Sequence, residues 1–382
     1  MSEFPLDGVR VLDLSRLLPG PFATQILADN GADVIKIEEP EVGDYARYME
    51  PYVDDVGLIF SAVNRGKRSL TLDLTTDDGR AIFLDLVEDA DVVLEGFSPG
   101  TVDELGIDWI TLADHNPDLV YCALSGYGQS GVYRNRPGHD LNYAGYTGLL
   151  DMTRSEPDGK PAIPGFPMAD MSGGLTAAQE IVTALLGREL GNTGGTYLDL
   201  SLTESLLSFS QVITSEALAG ESPRAGETFL TGQYPCYGIY EAKDGKYVTL
   251  SALEPKFWTQ FCERVNRTDL ESFHLSEDPE DRQTLREELQ DLFRRRTRDE
   301  WEREFGDSGV MVGSVLEPQE VVDNEHFRER DDFNTGEFRV SIRTGAREEQ
   351  DWPEKGEHNR QILSNLNYDE EQINSFETRG VL

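Results

Sequence analysis

Short β-rich runs alternating with helical runs govern what the first half of this chain can become. Val9 to Leu14 reads as a buried strand, Pro21 to Asp29 as a helix opened by the Pro19-Gly20-Pro21 turn, and Asp33 to Ile37 as a second strand. Strands at Ser69 to Leu74, Asp91 to Gly96 and Leu119 to Leu124 follow, with a helix at Asp77 to Glu88. Strands separated by helices at this spacing predict βαβ units, a parallel sheet and an α/β fold. Such sheets bind ligands at the carboxyl ends of their strands. Those ends here carry Arg16 to Pro21, Glu95 to Gly100 and Ser125 to Gly128, all glycine-bearing. Gly126 to Gly131 even fits G-x-G-x-x-G. A dinucleotide site, however, needs a helix N-terminus aimed at the pyrophosphate, and the segment that follows, Val132 to Gly138, cannot open a helix. The nicotinamide reading is rejected.

Further on, helices are predicted at Asp140 to Leu150, Ser172 to Leu190 and Leu202 to Leu218, with a strand at Thr196 to Leu200. Composition then shifts. Gly232 to Leu253 alternates as a hairpin turning at Asp244-Gly245, and helices at Pro255 to Val265, Asp281 to Arg295 and Arg298 to Phe305 complete a smaller α+β unit. A terminal helix is predicted from Gln361 to Phe376. The 382 residues suit two domains at roughly 150 residues each: a large one over 1–220 and a small one over 225–330.

Charge narrows the partners. Lys+Arg number 34 against 72 Asp+Glu, for a net charge of −38. With no basic stripe, the chain is not expected to bind nucleic acid or an anionic membrane. Its 38% hydrophobic content falls in ordered periods, so the acidity lies on a globular surface rather than a disordered tail. Only seven lysines occur, and an acidic, lysine-poor surface points to a halophilic protein whose self-repulsion is screened by salt. Cys122, Cys236 and Cys262 are odd in number and widely spaced, as reduced thiols in a cytoplasm would be, and no zinc spacing is present. The N-terminus lacks a signal-peptide pattern, and no apolar run approaches ~18 residues.

Three segments place polar groups where chemistry could occur. His139 follows a Pro-Gly turn at a helix start; Asp170 precedes a long helix and is followed by Gly173-Gly174, which permit close ligand approach; Glu254 ends a strand before Pro255. Taken singly, His139 also reads as a surface or capping residue, Asp170 as an N-cap and Glu254 as first-turn helix charge.

Together with their surroundings these segments resemble the class III CoA-transferase family, which includes α-methylacyl-CoA racemase. The resemblance runs through LDGVRVLDLSRLLPGPFATQILADNGADVIKIEEP, NRGKRSLTLDL, DVVLEGFSPG, LVYCALSGYGQSG, GHDLNY, ADMSGG and YPCYGIYEAKDGKYVTLSALEPKFW, in order along nearly the whole chain. It implies a large Rossmann-like domain built from both chain ends, with residues 331–382 returning to it, a small domain, and an interlocked homodimer that binds CoA between domains. It implies an acyl-CoA substrate, with coenzyme A as part of that substrate and no tightly bound cofactor or metal.

The racemase branch is the closer fit, because His139 matches its G-H-D-x-N-Y, Asp170 its A-D-x-x-G-G and Glu254 its E-P segment. Inverting a carbon next to a thioester needs a base on one face and an acid on the other. By resemblance His139 and Asp170 form that pair, Glu254 orients the His139 ring, and the backbone N–H of Asp140 is a candidate donor to the enolate oxygen. In the alternative, a CoA-transferase, Asp170 attacks the thioester and carries CoA to a second carboxylic acid. The cations Lys36, Arg65, Lys67 and Arg68 are candidates for the CoA phosphates, Lys36 near the adenosine 3′-phosphate. Leu72, Gly96, Phe97, Gly126 and Tyr127 are candidates for the rest of the CoA contact. The Arg65 to Arg68 cluster also reads as a solvated turn.

Overall fold

The computed structural model of the chain describes residues 4–330 and 351–382. It divides into two units, the first comprising 1–148, 164–211 and 329–382, the second 149–163 and 212–328. The expected returning segment 331–382 thus lies outside the described residues over 331–350.

The first unit is built on six parallel strands: β1 (Arg10–Asp13), β2 (Asp33–Glu38), β3 (Arg68–Thr71), β4 (Val92–Glu95), β5 (Val120–Ser125) and β6 (Thr196–Ser201). Their order is β3-β2-β1-β4-β5-β6, and every neighbouring pair is parallel. This is the doubly wound arrangement, whose direction reverses between β1 and β4. β4 and β5 are buried along their whole length, as strands covered on both faces must be, which explains their unbroken apolar runs. The first helix, α1, spans Pro19–Asp29, its N-terminus fixed by Pro19 and Pro21 in the first turn. Residues 351–382 are part of this unit: Asp73 N donates to Val381 O, and Ile362, Leu363, Ile373 and Phe376 join the core of Leu12, Ile35, Leu70 and Phe83.

The predicted helices differ at several ends. The one expected from Asp140 to Leu150 is the shorter α2, Asp140–Gly145, capped at Tyr146, and the positive φ of 78° at Gly148 excludes a helix running on to Leu150. The next, α3, begins at Met168 and runs to Glu189, so Asp170 lies inside its first turn rather than on a loop. The helix expected over Leu202 to Leu218 is two, Leu202–Ser208 and Gln211–Leu218. The terminal helix is also two, Asn359–Asn365 and Glu370–Thr378; the left-handed Asn367 ends one, and an Asp369 capping box starts the other.

The second unit holds an antiparallel sheet of β7 (Tyr237–Glu241), β8 (Tyr247–Ser251) and β9 (Val312–Ser314). The predicted hairpin is present, with Gly245 supplying the positive φ that its turn needs. The third strand was not anticipated, being only three residues long. Helices Pro255–Arg264, Pro279–Phe293 and Arg298–Phe305 enclose an aromatic core that includes Trp258, Phe261, Phe293, Trp301 and Phe305. Among the described residues no helix is long and apolar enough to cross a membrane.

Candidate active site

At the carboxyl ends of β1, β4 and β5, where the sheet reverses direction, lies a cavity of about 350 Å³. His139 and Asp170 both line it, as do Gly96, Phe97, Gly126 and Tyr127. His139 is the N-cap of α2, with an exposed side chain; its backbone N–H donates to Asn142 Oδ1 at 3.0 Å. Asp170 reaches the cavity from the first turn of α3.

Asp140 joins these two helices. The residue preceding α3 is Pro167, which has no capping side chain. Instead Asp140 Oδ1 accepts from Ala169 N at 2.6 Å and from Asp170 N at 3.1 Å, doing from a distant segment what an N-cap side chain does locally. The same carboxylate acts on its neighbour's charge. Burial and the negative Asp140 push the Asp170 carboxyl up to about 6, against the opposing pull of His139.

Two glycines after Asp170 have a different use from the one expected. A Cβ at Gly173 would lie 2.2 Å from Leu202 Cδ2, and one at Gly174 would lie 2.5 Å from Pro19 O. They let α3 pack closely against neighbouring segments, not against a ligand. Gly126 works similarly at the end of β5, where a Cβ would meet the Tyr143 ring at 2.4 Å. Tyr143 in turn donates to Gly138 O, and burial, with Asp170 nearby, pushes its phenol up to about 12.

The cations expected at the CoA phosphates are committed elsewhere. Lys36 has no exposed side chain: its Nζ lies 2.8 Å from Asp44 Oδ2 and donates to Ser15 O at 2.9 Å. Burial opposes its charge, but Asp44, Asp13 and Glu38 outweigh burial and raise its pKa. Lys67 is equally enclosed, donating to Asp13 Oδ2, Thr24 Oγ1, Pro21 O and Asn64 Oδ1; burial brings it down to about 8. Arg68 donates to both oxygens of Asp33 at 2.9 and 2.6 Å, and the buried Arg65 donates to Ala62 O with Asp29 at 4.0 Å. Each of these cations thus has a carboxylate within 4.0 Å. Lys67, Arg68 and Arg65 lie against carboxylates from distant segments, which local spacing cannot reveal.

A smaller cavity of about 180 Å³ is lined by Leu72, Ile37, Glu39 and Asp73, and it shares Arg16 and Phe97 with the larger one. Arg16, Arg134 and Arg136, none of them singled out from sequence, line the larger cavity. Arg16 at the end of β1 carried a signal, since that strand end was already marked as a ligand position. Glu95 was also missed as a separate feature. It is 2% exposed, accepts from Phe97 N at 2.7 Å, and is pushed up to about 7 by burial. Glu254 lies in the second unit, exposed at the N-cap of the Pro255–Arg264 helix.

A doubly wound sheet with a carboxyl-and-imidazole cavity at its switch point defines the class, and comparison supplies the family. The model for CoA-transferase family III matches residues 6–345. The chain belongs to that family. It is 33% identical over 386 residues to human alpha-methylacyl-CoA racemase, covering 96% of this chain and 95% of the relative. It is 38% identical over 300 residues to the succinyl-CoA:mesaconate CoA-transferase of Haloarcula hispanica, covering 75% of this chain and 74% of the relative. The crystal structure of a CAIB/BAIF family protein from Brucella suis matches with a TM-score of 0.83 at 30% identity, over 96% of this chain and 100% of that one. The relatives include both racemases and transferases.

Proposed function

We propose that the protein is a racemase of the α-methylacyl-CoA type, moving a proton at the α-carbon of a 2-methylacyl-CoA thioester. The observation that carries this reading is an imidazole and a carboxyl with raised proton affinity lining one cavity. One group removes the α-proton, the C–H electron pair passes to the thioester oxygen as an enolate, and the other group, already protonated, delivers a proton to the opposite face. The roles exchange with the enantiomer. The N–H of Asp140, in the first turn of α2, is the donor assigned to the enolate oxygen. Arg16, Phe97 and Leu72 would contact CoA, with Arg16 taking a phosphate. In an interlocked homodimer Glu254 would orient the His139 ring; sedimentation at the 42.7 kDa of one chain would rule that dimer out. The acidic chain would serve a salt-rich cytoplasm, with stability rising in molar KCl.

The second reading is a CoA-transferase, favoured by the identity to the Haloarcula enzyme. Asp170 would attack the thioester carbonyl, the C–S bond would break and CoA would leave as thiolate. That thiolate would return to the resulting anhydride, giving an aspartyl-CoA thioester and freeing the donor acid. The two readings separate in one NMR tube. A racemase exchanges the α-proton with deuterated water without an acceptor acid, and His139→Ala should cut that exchange at least ~100-fold. No exchange with any 2-methylacyl-CoA, together with a hydroxylamine-trapped adduct at Asp170, would establish the transferase instead.

A further inference from the structure

Residues 126–139 carry the chain from the end of β5 to the start of α2, and none of them lies in a helix or strand. An acid–base group at the end of such a loop needs its position fixed, because misplacement by about 1 Å can lower a rate ~100-fold. The loop's own turns stop short of it: Arg134 N donates to Gly131 O at 3.3 Å and Arg136 N to Tyr133 O at 2.8 Å. The hold on its last residues comes from ahead in the chain. Three side chains on or just after α2 reach back. Asn142 Oδ1 accepts from His139 N at 3.0 Å, Tyr143 Oη donates to Gly138 O, and Tyr146 Oη accepts from Arg136 Nη1 at 2.8 Å.

Tyr143 differs from the other two in what its ring touches. A Cβ at Gly126 would lie 2.4 Å from its Cε1, and a Cβ at Gly138 would lie 2.6 Å from the same atom. The ring therefore fills the space between the strand end and the peptide before His139, an approach that only glycine at both positions allows. Tyr127 packs edge-on against it, with centroids 5.2 Å apart. Gly126 is itself anchored, since its carbonyl accepts from Thr203 N at 3.1 Å and from Thr203 Oγ1 at 2.8 Å. A continuous path of contacts thus runs from the sheet through Gly126 and Tyr143 to Gly138 O, one residue before the imidazole that lines the larger cavity. Gly138 has the widest backbone freedom of any residue type, and this hydrogen bond restrains it.

We propose that Tyr143 is a positioning residue for His139: its hydroxyl, tied to Gly138 O and carried on a ring wedged against Gly126, sets where the imidazole stands in the cavity. The inference rests on the racemase reading above, in which His139 moves the α-proton. With its hydroxyl directed to a backbone carbonyl, Tyr143 takes no proton from the substrate. Its effect on the reaction passes through His139.

The test is a double-substitution cycle on the full chain, read by α-deuterium exchange into 2-methylbutyryl-CoA. Tyr143→Phe keeps the ring between the two glycines and removes the hydroxyl alone. It should lower kcat at least ~10-fold while KM stays within about twofold, the split expected when only transition-state geometry is lost. In a His139→Ala background the same change should lower kcat by less than about twofold, because the group it acts through has gone. Tyr143→3-fluorotyrosine, which keeps the donor, should retain the wild-type kcat. A Phe variant with wild-type kcat overturns the assignment, and so does a loss confined to KM. A loss of equal size in both backgrounds overturns it as well, since the hydroxyl would then act on the substrate or on Asp170. A Phe variant that does not fold would make the hydroxyl a determinant of the fold and not of the imidazole's position. All four outcomes leave the racemase reading standing. Absence of exchange in wild type overturns that reading and this inference together.

Discussion

The two sides of the parallel sheet treat buried charge in opposite ways. On the β2–β3 side Lys36 faces Asp44, Lys67 faces Asp13 and Arg47 faces Glu38, each pair almost wholly enclosed. On the other side Glu95 at the end of β4 is just as deep but has a single backbone N–H for company. Asp170 has the negative Asp140 beside it. Pairing favours the charged forms of Lys36, Asp13 and Glu38, while burial still brings Lys67 down to about 8. Burial raises the second set toward neutrality, in Asp170 against the weaker pull of His139, and there a carboxyl can both give and take a proton. Under the proposed function, support and proton chemistry are thus separated within the first unit.

The largest effect should come from breaking a pair on the supporting side. Lys36→Met leaves Asp44 buried and uncompensated, and unfolding in urea should show a loss of about 3–5 kcal/mol. Adding Asp44→Leu should return much of it, since removing both charges also removes their desolvation cost. A single variant as stable as wild type would end the distinction between the two sides. The next effect concerns Glu95. Its folded pKa, about 7, lies above the ordinary 4.5, so the folded state binds this proton more tightly than the unfolded one. The stability it contributes is complete below about pH 4.5 and is lost as pH rises through about 7. Its size is on the order of 3 kcal/mol. Glu95→Gln keeps an acceptor for Phe97 N–H and should flatten that part of the stability–pH curve, measured by denaturant melts at pH 4.5 and 8.

The contrast also explains what the sequence could disclose. Apolar runs such as Val120 to Leu124 and the helices between them report burial locally, so the parallel sheet was readable, as was the hairpin at Gly245. His139 and Asp170 stood out in the sequence because each sits at a strand-end or helix-start segment, and in the structure both line one cavity. The buried pairings of Lys36 with Asp44, just beyond β2, and of Lys67 with Asp13, at the end of β1, were not legible because strand and helix periodicity reports burial but not which charges meet. Arg134 and Arg136 were hidden for the converse reason. They line the larger cavity without a carboxylate partner among the described residues, and that becomes visible only once the other arginines have been paired.

Asp140 links support to chemistry, and its two roles can be separated by substitution. Its Oδ1 caps α3 through Ala169 N and Asp170 N, while its charge raises the Asp170 carboxyl. Asp140→Asn retains an acceptor oxygen of similar reach but loses the charge; Asp140→Ala loses both. Replacing a capping side chain by Ala typically costs about 1 kcal/mol, so the Ala variant should be less stable by about that amount and the Asn variant much closer to wild type. In both, the Asp170 titration, followed by carboxyl 13C NMR, should move down from about 6, because one cause of its elevation has gone while burial remains. If the titration stays in place in the Asn variant, burial alone sets it, and Asp140 is only a cap that happens to bear a charge.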